Sequence, residues 1–259
     1  MSCLSINNLT LKIAERTLCQ SLSFEIQTGQ SWGILGKNGV GKTTLLHTLA
    51  GIASPSTVVN PQANIELNNI PISQLKNQKL AQQLGILLQD FQDIFPSTVL
   101  DTALIGCHPH LKAWQWPNHD DINLVKKLLA QMELANYEQR NITSLSGGER
   151  RRLGLVTLLA QQTEFLLLDP VNHLDIAHQH QLLNYLTNAP FKQQHAIAMV
   201  MHDINLAKQY CDHILLIYED GETRTGKAEE ILTAENLTEV YGYPITELVT
   251  NEQSVFMAK

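Results

Sequence analysis

No stretch of this chain approaches the roughly 18 apolar residues that a helix needs to cross a bilayer, so a membrane role has to run through a partner. The opening residues, Met1-Ser2-Cys3-Leu4-Ser5, lack the basic-then-apolar pattern of a secretion signal, and none is expected. Cysteine is scarce, and Cys3, Cys19, Cys107 and Cys211 form no C-x-x-C pair. That pattern fits a reduced, cytosolic chain whose cysteines serve as small apolar residues. Basic charge is also short: 18 Lys and Arg stand against 25 Asp and Glu, a net charge of -7. Nucleic acid is therefore not expected as a partner, because binding a phosphate backbone calls for a basic surface. Internal repeats and low-complexity tracts are missing. What remains is a 259-residue chain that is 44% hydrophobic, enough for one large domain or a domain carrying an inserted subdomain.

The most informative stretch is Gly36-Lys37-Asn38-Gly39-Val40-Gly41-Lys42-Thr43, a match to G-x-x-x-x-G-K-[ST]. It follows Ser31–Leu35, which reads as a buried strand, and precedes Thr44–Ala50, which reads as a helix ended by Gly51. In that context the glycines allow a tight turn and close approach to a ligand. Free backbone N–H groups and a helix N-terminus then face a polyphosphate. Lys42 adds positive charge for the outer phosphates, and Thr43 offers a hydroxyl to Mg²⁺.

Residues 3–30 look β-rich, with alternation over Leu9–Ile13 and Leu22–Ile26. Asn64–Leu67 alternates again, a polar helix is expected over Ile72–Gln83, and Leu84–Leu88 reads as a buried strand before Gln89. Between 90 and 144 the chain turns mostly helical, with a His-, Pro- and Trp-rich loop at Gly106–Pro117 and a helix over Asp120–Leu134. Ser146 and Glu149 have capping-box spacing, so a helix begins there and runs to Ala160. Phe165–Asp169 is an apolar strand ending in a carboxylate. A helix over Ile176–Leu186, a strand over His195–Met201, a helix over Asn205–Cys211 and a hairpin around Asp220-Gly221 follow. Residues 228–242 read as helical and the remainder as a short tail. Arg150–Arg152 reads as a solvated helix face. His108, His110 and His119 read as part of a flexible loop rather than as metal ligands. His178 and His180, two apart on a helix, are expected to point apart.

The phosphate loop, Gln89, Leu145-Ser146-Gly147-Gly148-Glu149, the strand ending at Asp169, Asn172–Asp175 and His202 occur in one order. Together they resemble the ATP-binding cassette of ABC transporters, over essentially the whole chain. The resemblance implies an α/β fold: a RecA-like P-loop NTPase core, an N-terminal antiparallel β subdomain and an inserted α-helical subdomain. It implies one domain over 1–259, with the core in 1–90 and 155–259 and the insertion in 91–154. ATP and Mg²⁺ are the implied cofactors. ATP would be held by Gly36, Asn38, Gly39, Gly41, Lys42, Thr43 and Thr44. Ser146, Gly147, Gly148 and Asp175 would act across a head-to-tail homodimer, where the signature residues take the γ-phosphate bound by the second copy. Thr43, Gln89 and Asp169 would serve Mg²⁺, Gln89 would also reach the attacking water, and His202 would contact the γ-phosphate.

Two departures from the family pattern stand out. The usual strand end is Asp-Glu-Pro-x-Asn-His-Leu-Asp, but here Asp169 is followed directly by Pro170. The general-base glutamate is missing, and the resemblance then implies binding of MgATP with slow or absent hydrolysis. An adenine-stacking aromatic is also missing from Leu11–Arg16, where Ile13 or a neighbour would supply apolar contact.

With one cassette and no membrane span, the chain resembles separate subunits of bacterial importers. Gly106-Cys107-His108-Pro109-His110 and the tail Asn236–Gly242 are similar to the metal-chelate group, with Cys107 where Arg is usual. This implies uptake of a ferric siderophore, haem or cobalamin with a two-subunit multi-span permease and, indirectly, a periplasmic or surface binding protein. The expected location is peripheral, on the cytoplasmic face of the inner cell membrane. The alternatives are a soluble ABC protein acting on ribosomes or DNA, and an ATP-dependent dimerisation module.

Overall fold

The structure is a computed structural model that describes residues 2–52, 60, 63–88, 97–169, 176–249 and 254–259. Gln89, Phe95-Pro96 and Pro170–Asp175, which carry several of the sequence readings, lie outside the described residues.

The first two strands, β1 (Cys3–Ile13) and β2 (Arg16–Gln27), form an antiparallel pair whose inward residues alternate, as the sequence predicts. β4 (Asn64–Leu67) and β5 (Ile70–Pro71) extend this into a four-stranded sheet, ordered β2-β1-β4-β5. A second sheet has six strands. It uses β3 (Ser31–Leu35), β6 (Leu84–Leu87), β7 (Phe165–Leu168), β8 (Ala196–Val200), β9 (His213–Ile217) and β10 (Thr223–Lys227), in the order β10-β9-β3-β8-β7-β6. From β9 to β6 every pairing is parallel, and only β10 runs against its neighbour. β3, β7 and β8 are buried along their whole length, which is why they read as continuous apolar runs rather than alternating ones.

Helices cover both faces of the parallel sheet. α1 (Lys42–Leu49) places Leu45, Leu46 and Leu49 in one core with Ile34, Leu167 and Ala198, and with Leu11, Leu22 and Ile26 of the antiparallel sheet. The opposite face, through Leu35, Leu166 and Met199, packs with α3 (Val99–Leu104), α4 (His119–Gln131), α5 (Gly147–Ala160), α6 (Ile176–Thr187) and α8 (Ile204–Tyr210). Neighbouring residues along one strand thus serve two separate cores.

Four readings need correction. Residues 72–83 are not one polar helix. A 3₁₀ turn at Ile72–Gln74 is separated from α2 (Asn77–Ala81) by an extended Leu75, because too few apolar residues recur to hold a longer helix on the sheet. The His- and Pro-rich loop begins as a 3₁₀ helix, Ile105–His110. Its Cys107 is buried, and Gln78 and Gln82 bond the Pro109 carbonyl. The segment 228–242 is two helices, α9 (Ala228–Ile231) and α10 (Ala234–Tyr241), with α7 (Ala189–Lys192) an additional short helix earlier in the chain. The tail is a hairpin, β11 (Ile245–Val249) and β12 (Ser254–Ala258), anchored by buried Phe256. Asn205 clamps it, accepting from the Phe256 N–H at 2.8 Å and donating to its carbonyl at 3.1 Å.

Candidate nucleotide-binding site

Parallel order brings remote residues together. β3, β8, β7 and β6 lie side by side, so their C-terminal ends share one edge of the sheet. That edge carries the loop 36–41 after β3, His202 after β8, Asp169 after β7 and Leu88 after β6. The crevice beyond such strand ends is where open α/β sheets bind ligands.

The loop is held by sterics and hydrogen bonds. Gly36 has φ 154, and a Cβ there would lie 2.6 Å from the Ile217 carbonyl oxygen. Gly41 has φ 115, and a Cβ would press on Leu18 at 3.0 Å. A Cβ on Gly39 would meet nothing within 4 Å, so the middle of the loop opens outward. α1 has Gly41 at its N-cap, with no side-chain cap and no acidic residue in its first turn, leaving its first N–H groups for an anion. Lys42 is buried and donates to the carbonyls of Gly36 at 2.7 Å and Lys37 at 2.8 Å. Burial pushes its ammonium below the usual lysine range, and the Asp169 carboxylate opposes that shift.

Asp169 is 0% exposed, and neither carboxylate oxygen has a hydrogen-bond partner among the described residues. A buried, unsatisfied carboxylate is costly, and two hard oxygen donors beside a phosphate loop suit Mg²⁺. Its residues thus fit the metal that the fold family implies. His202 is exposed at the end of β8, just before Asp203, which caps α8 through the N–H groups of Asn205 and Leu206.

A second open helix N-terminus is that of α5. Ser146 caps it, accepting from the Glu149 N–H at 3.3 Å and donating its own N–H to Glu149 at 2.7 Å. This is the capping box that the spacing predicts. The Ser146 N–H holds the Glu149 carboxyl below its usual range. A Cβ on Gly147 or Gly148 would meet nothing within 4 Å, so this terminus too is open.

Residues 19–172 match the ABC transporter family. The chain belongs to that family. This ABC protein is 34% identical to the petrobactin import ATP-binding protein FpuD of Bacillus anthracis, over 92% of the chain and 86% of that protein. It is 32% identical to the hemin import ATP-binding protein HmuV of Escherichia coli O157:H7, over 95% of the chain and 94% of that protein. A solved chain of a transporter described as metal-chelate type, in an inward-facing conformation, superposes with a TM-score of 0.84 at 27% identity, covering 100% and 98% of the two chains. The ABC ATPase fold and ATP binding follow from this membership.

Several contacts of this ABC protein were not foreseen. Arg16, at the β1–β2 turn, donates to the Gly39 carbonyl at 2.9 Å, tying the antiparallel sheet to the phosphate loop. Ile13 beside that turn is 50% exposed and is the apolar surface available there. Lys37 pairs with Glu219 at 2.8 Å. Arg150–Arg152 is not a solvated face. Arg150 donates to the carbonyls of Leu145 and Thr143, and Arg151 to those of Leu88 and Asp169. Carbonyl acceptors leave no mark in a sequence, so a run of three arginines reads as surface. His178 and His180 do diverge, to Glu133 and to the Tyr210 hydroxyl. Among the described residues no three His, Cys, Asp or Glu side chains converge as a metal site.

Proposed function

We propose that this chain is the ATP-binding subunit of an importer for a metal chelate, working with a separate multi-span permease. The observation that carries this reading is the shared edge of the sheet, where the phosphate loop, Asp169 and His202 meet, paired with the open, capped terminus of α5. The loop from Gly36 to Gly41, with Asn38, Lys42, Thr43 and Thr44, would cradle the ATP phosphates. Ser146, Gly147, Gly148 and Asp175 would act on ATP held by a second copy in a head-to-tail dimer. Gln89 and His202 would orient the attacking water and the γ-phosphate. Thr43, Gln89 and Asp169 would hold Mg²⁺, whose chemistry is to neutralise charge on the phosphates as the bond to the leaving oxygen breaks.

We take residues 91–154 as the helical insertion that meets the permease. A cavity of about 1160 Å³ beside α3 and α5 is rimmed by Trp114 and Trp116, which are 99% and 86% exposed. Exposed aromatics around a groove mark a docking surface. The names of the relatives, petrobactin and hemin importers, support a siderophore or haem as cargo. The subunit would sit peripherally on the cytoplasmic face of the inner membrane, with a periplasmic or surface binding protein delivering cargo on the other side. No helix among the described residues is long and apolar enough to cross a membrane.

The second reading, an ATP-dependent dimerisation module, draws support from the missing glutamate between Asp169 and Pro170. Purification from the native membrane separates the two. Co-purification with a polytopic permease supports the importer. Recovery as a soluble dimer without one, or only with ribosomes or DNA, overturns it.

A further inference from the structure

Arg151, Gly154 and Leu158 lie at i, i+3 and i+7 of α5 and so share one face. That face lies directly on β6. A Cβ on Gly85 of β6 would come within 2.5 Å of the Leu158 side chain, and one on Gly154 within 3.0 Å of Leu87. Glycine on each element therefore permits an approach that larger residues would block. At this distance the Arg151 guanidinium reaches the strand ends. Nη1 donates to the Leu88 carbonyl at 2.8 Å, and Nη2 donates to the Asp169 carbonyl. The two strands are parallel neighbours, and the Asp169 N–H already donates to the Leu87 carbonyl at 2.9 Å. One planar fork thus spans the ends of β6 and β7.

We propose that Arg151 is a positioning residue for the metal-binding carboxylate of Asp169. It fixes the main chain on the carbonyl side of Asp169 while the Leu87 carbonyl fixes the amide side. The Cα–Cβ direction is then set, and the carboxylate, which has no hydrogen bond of its own among the described residues, stays aimed into the crevice. Lysine cannot replace the arginine here, since a point charge on a flexible stem does not hold two carbonyls in one plane. Because α5 starts at Ser146–Gly148, the same contact joins the signature terminus to the metal carboxylate of its own chain. This proposal rests on reading Asp169 as a metal ligand.

The test measures binding of a fluorescent ATP analogue to the full chain with Mn²⁺ and with EDTA, and the Mn²⁺ signal by electron paramagnetic resonance. Arg151→Gln and Arg151→Lys should each weaken Mn²⁺-dependent binding about tenfold, as loss of the group that orients a metal ligand does, and leave binding in EDTA within about twofold. Asp169→Asn should abolish the Mn²⁺ dependence. If Asp169→Asn changes nothing, the metal reading itself fails and this proposal with it. If Asp169→Asn acts but both Arg151 variants keep the full Mn²⁺ affinity, only the Arg151 proposal is overturned. Equal losses with Mn²⁺ and with EDTA also overturn it, since they make Arg151 a general brace. Arg151→Lys keeps the charge and serves if Arg151→Gln does not fold.

Discussion

Lys42 and Asp169 are the two charged side chains buried among the described residues, and they face one crevice as opposite charges. Removing either leaves the other buried without its counter-charge. Lys42→Met and Asp169→Asn should therefore each interact with the other mutation, with a coupling free energy on the order of 1–3 kcal/mol. The double variant should be more stable than the sum of the single losses predicts. Urea unfolding of the nucleotide-free protein gives this coupling, and additive losses would show that the two charges do not sense one another.

Gly147 separates folding from binding. It stands at the first turn of α5 with open space where a side chain would go. Gly147→Ala should keep or raise the unfolding free energy, by up to about 1 kcal/mol, because alanine loses less chain entropy on folding. The added methyl would fill the approach to the N–H groups of the helix start. ATP-induced dimerisation, followed by size exclusion, should be lost. Normal dimerisation of a stable Gly147→Ala variant would remove the signature terminus from the proposed interface.

A third expectation concerns pH. Asp212 anchors the start of β3. It accepts from the Ser31 N–H and hydroxyl, both at 2.8 Å, and from Lys192 at 2.6 Å. Burial alone would raise its carboxyl, but Lys192 and Ser31 outweigh that and hold it below the usual range. A depressed carboxylate stabilises the fold above its unfolded value of about 3.9. That contribution is lost as pH falls through the lower folded value. Asp212→Asn should be less stable than the natural chain at pH 7, and the gap should narrow below about pH 4. Paired urea titrations at pH 7 and pH 3 check it, and a gap of constant size would contradict it.

The sequence makes the parallel strands and both open helix N-termini legible, because each depends on local rules. Ser31–Leu35 is apolar throughout, the glycine loop has fixed spacing, and Ser146 and Glu149 cap within one turn. Arg16 and Arg151 are not legible, because their partners are the backbone carbonyls of Gly39, Leu88 and Asp169, which every residue type supplies. The terminal hairpin escapes for a related reason. Its anchors, Asn205 and Lys208, lie 51 and 39 residues from Phe256 and Glu247 respectively. No periodicity within the hairpin itself reports such contacts. His202 is legible only through its position in an ordered set of motifs, since a histidine ending a strand carries little by itself.

Hydrolysis supplies the last expectation. Asp169 is followed directly by Pro170, so the glutamate expected as general base is missing from the sequence. Asp169 cannot fill that role as well, since its buried carboxylate is the group proposed to hold the metal. Binding and turnover should therefore separate in this chain. The phosphate loop should take up MgATP normally, while steady-state phosphate release should be slow. A variant with Glu inserted after Asp169 should release phosphate faster by about 10²–10⁴-fold, the usual contribution of a general base. The insertion also restores the family's register at Asn172–Asp175, so a second variant with Gln inserted there isolates the carboxylate. Glu fast and Gln slow would assign the deficit to the missing base. Equal acceleration by both would assign it to register, and turnover in the natural chain equal to that of the Glu variant would remove the deficit altogether.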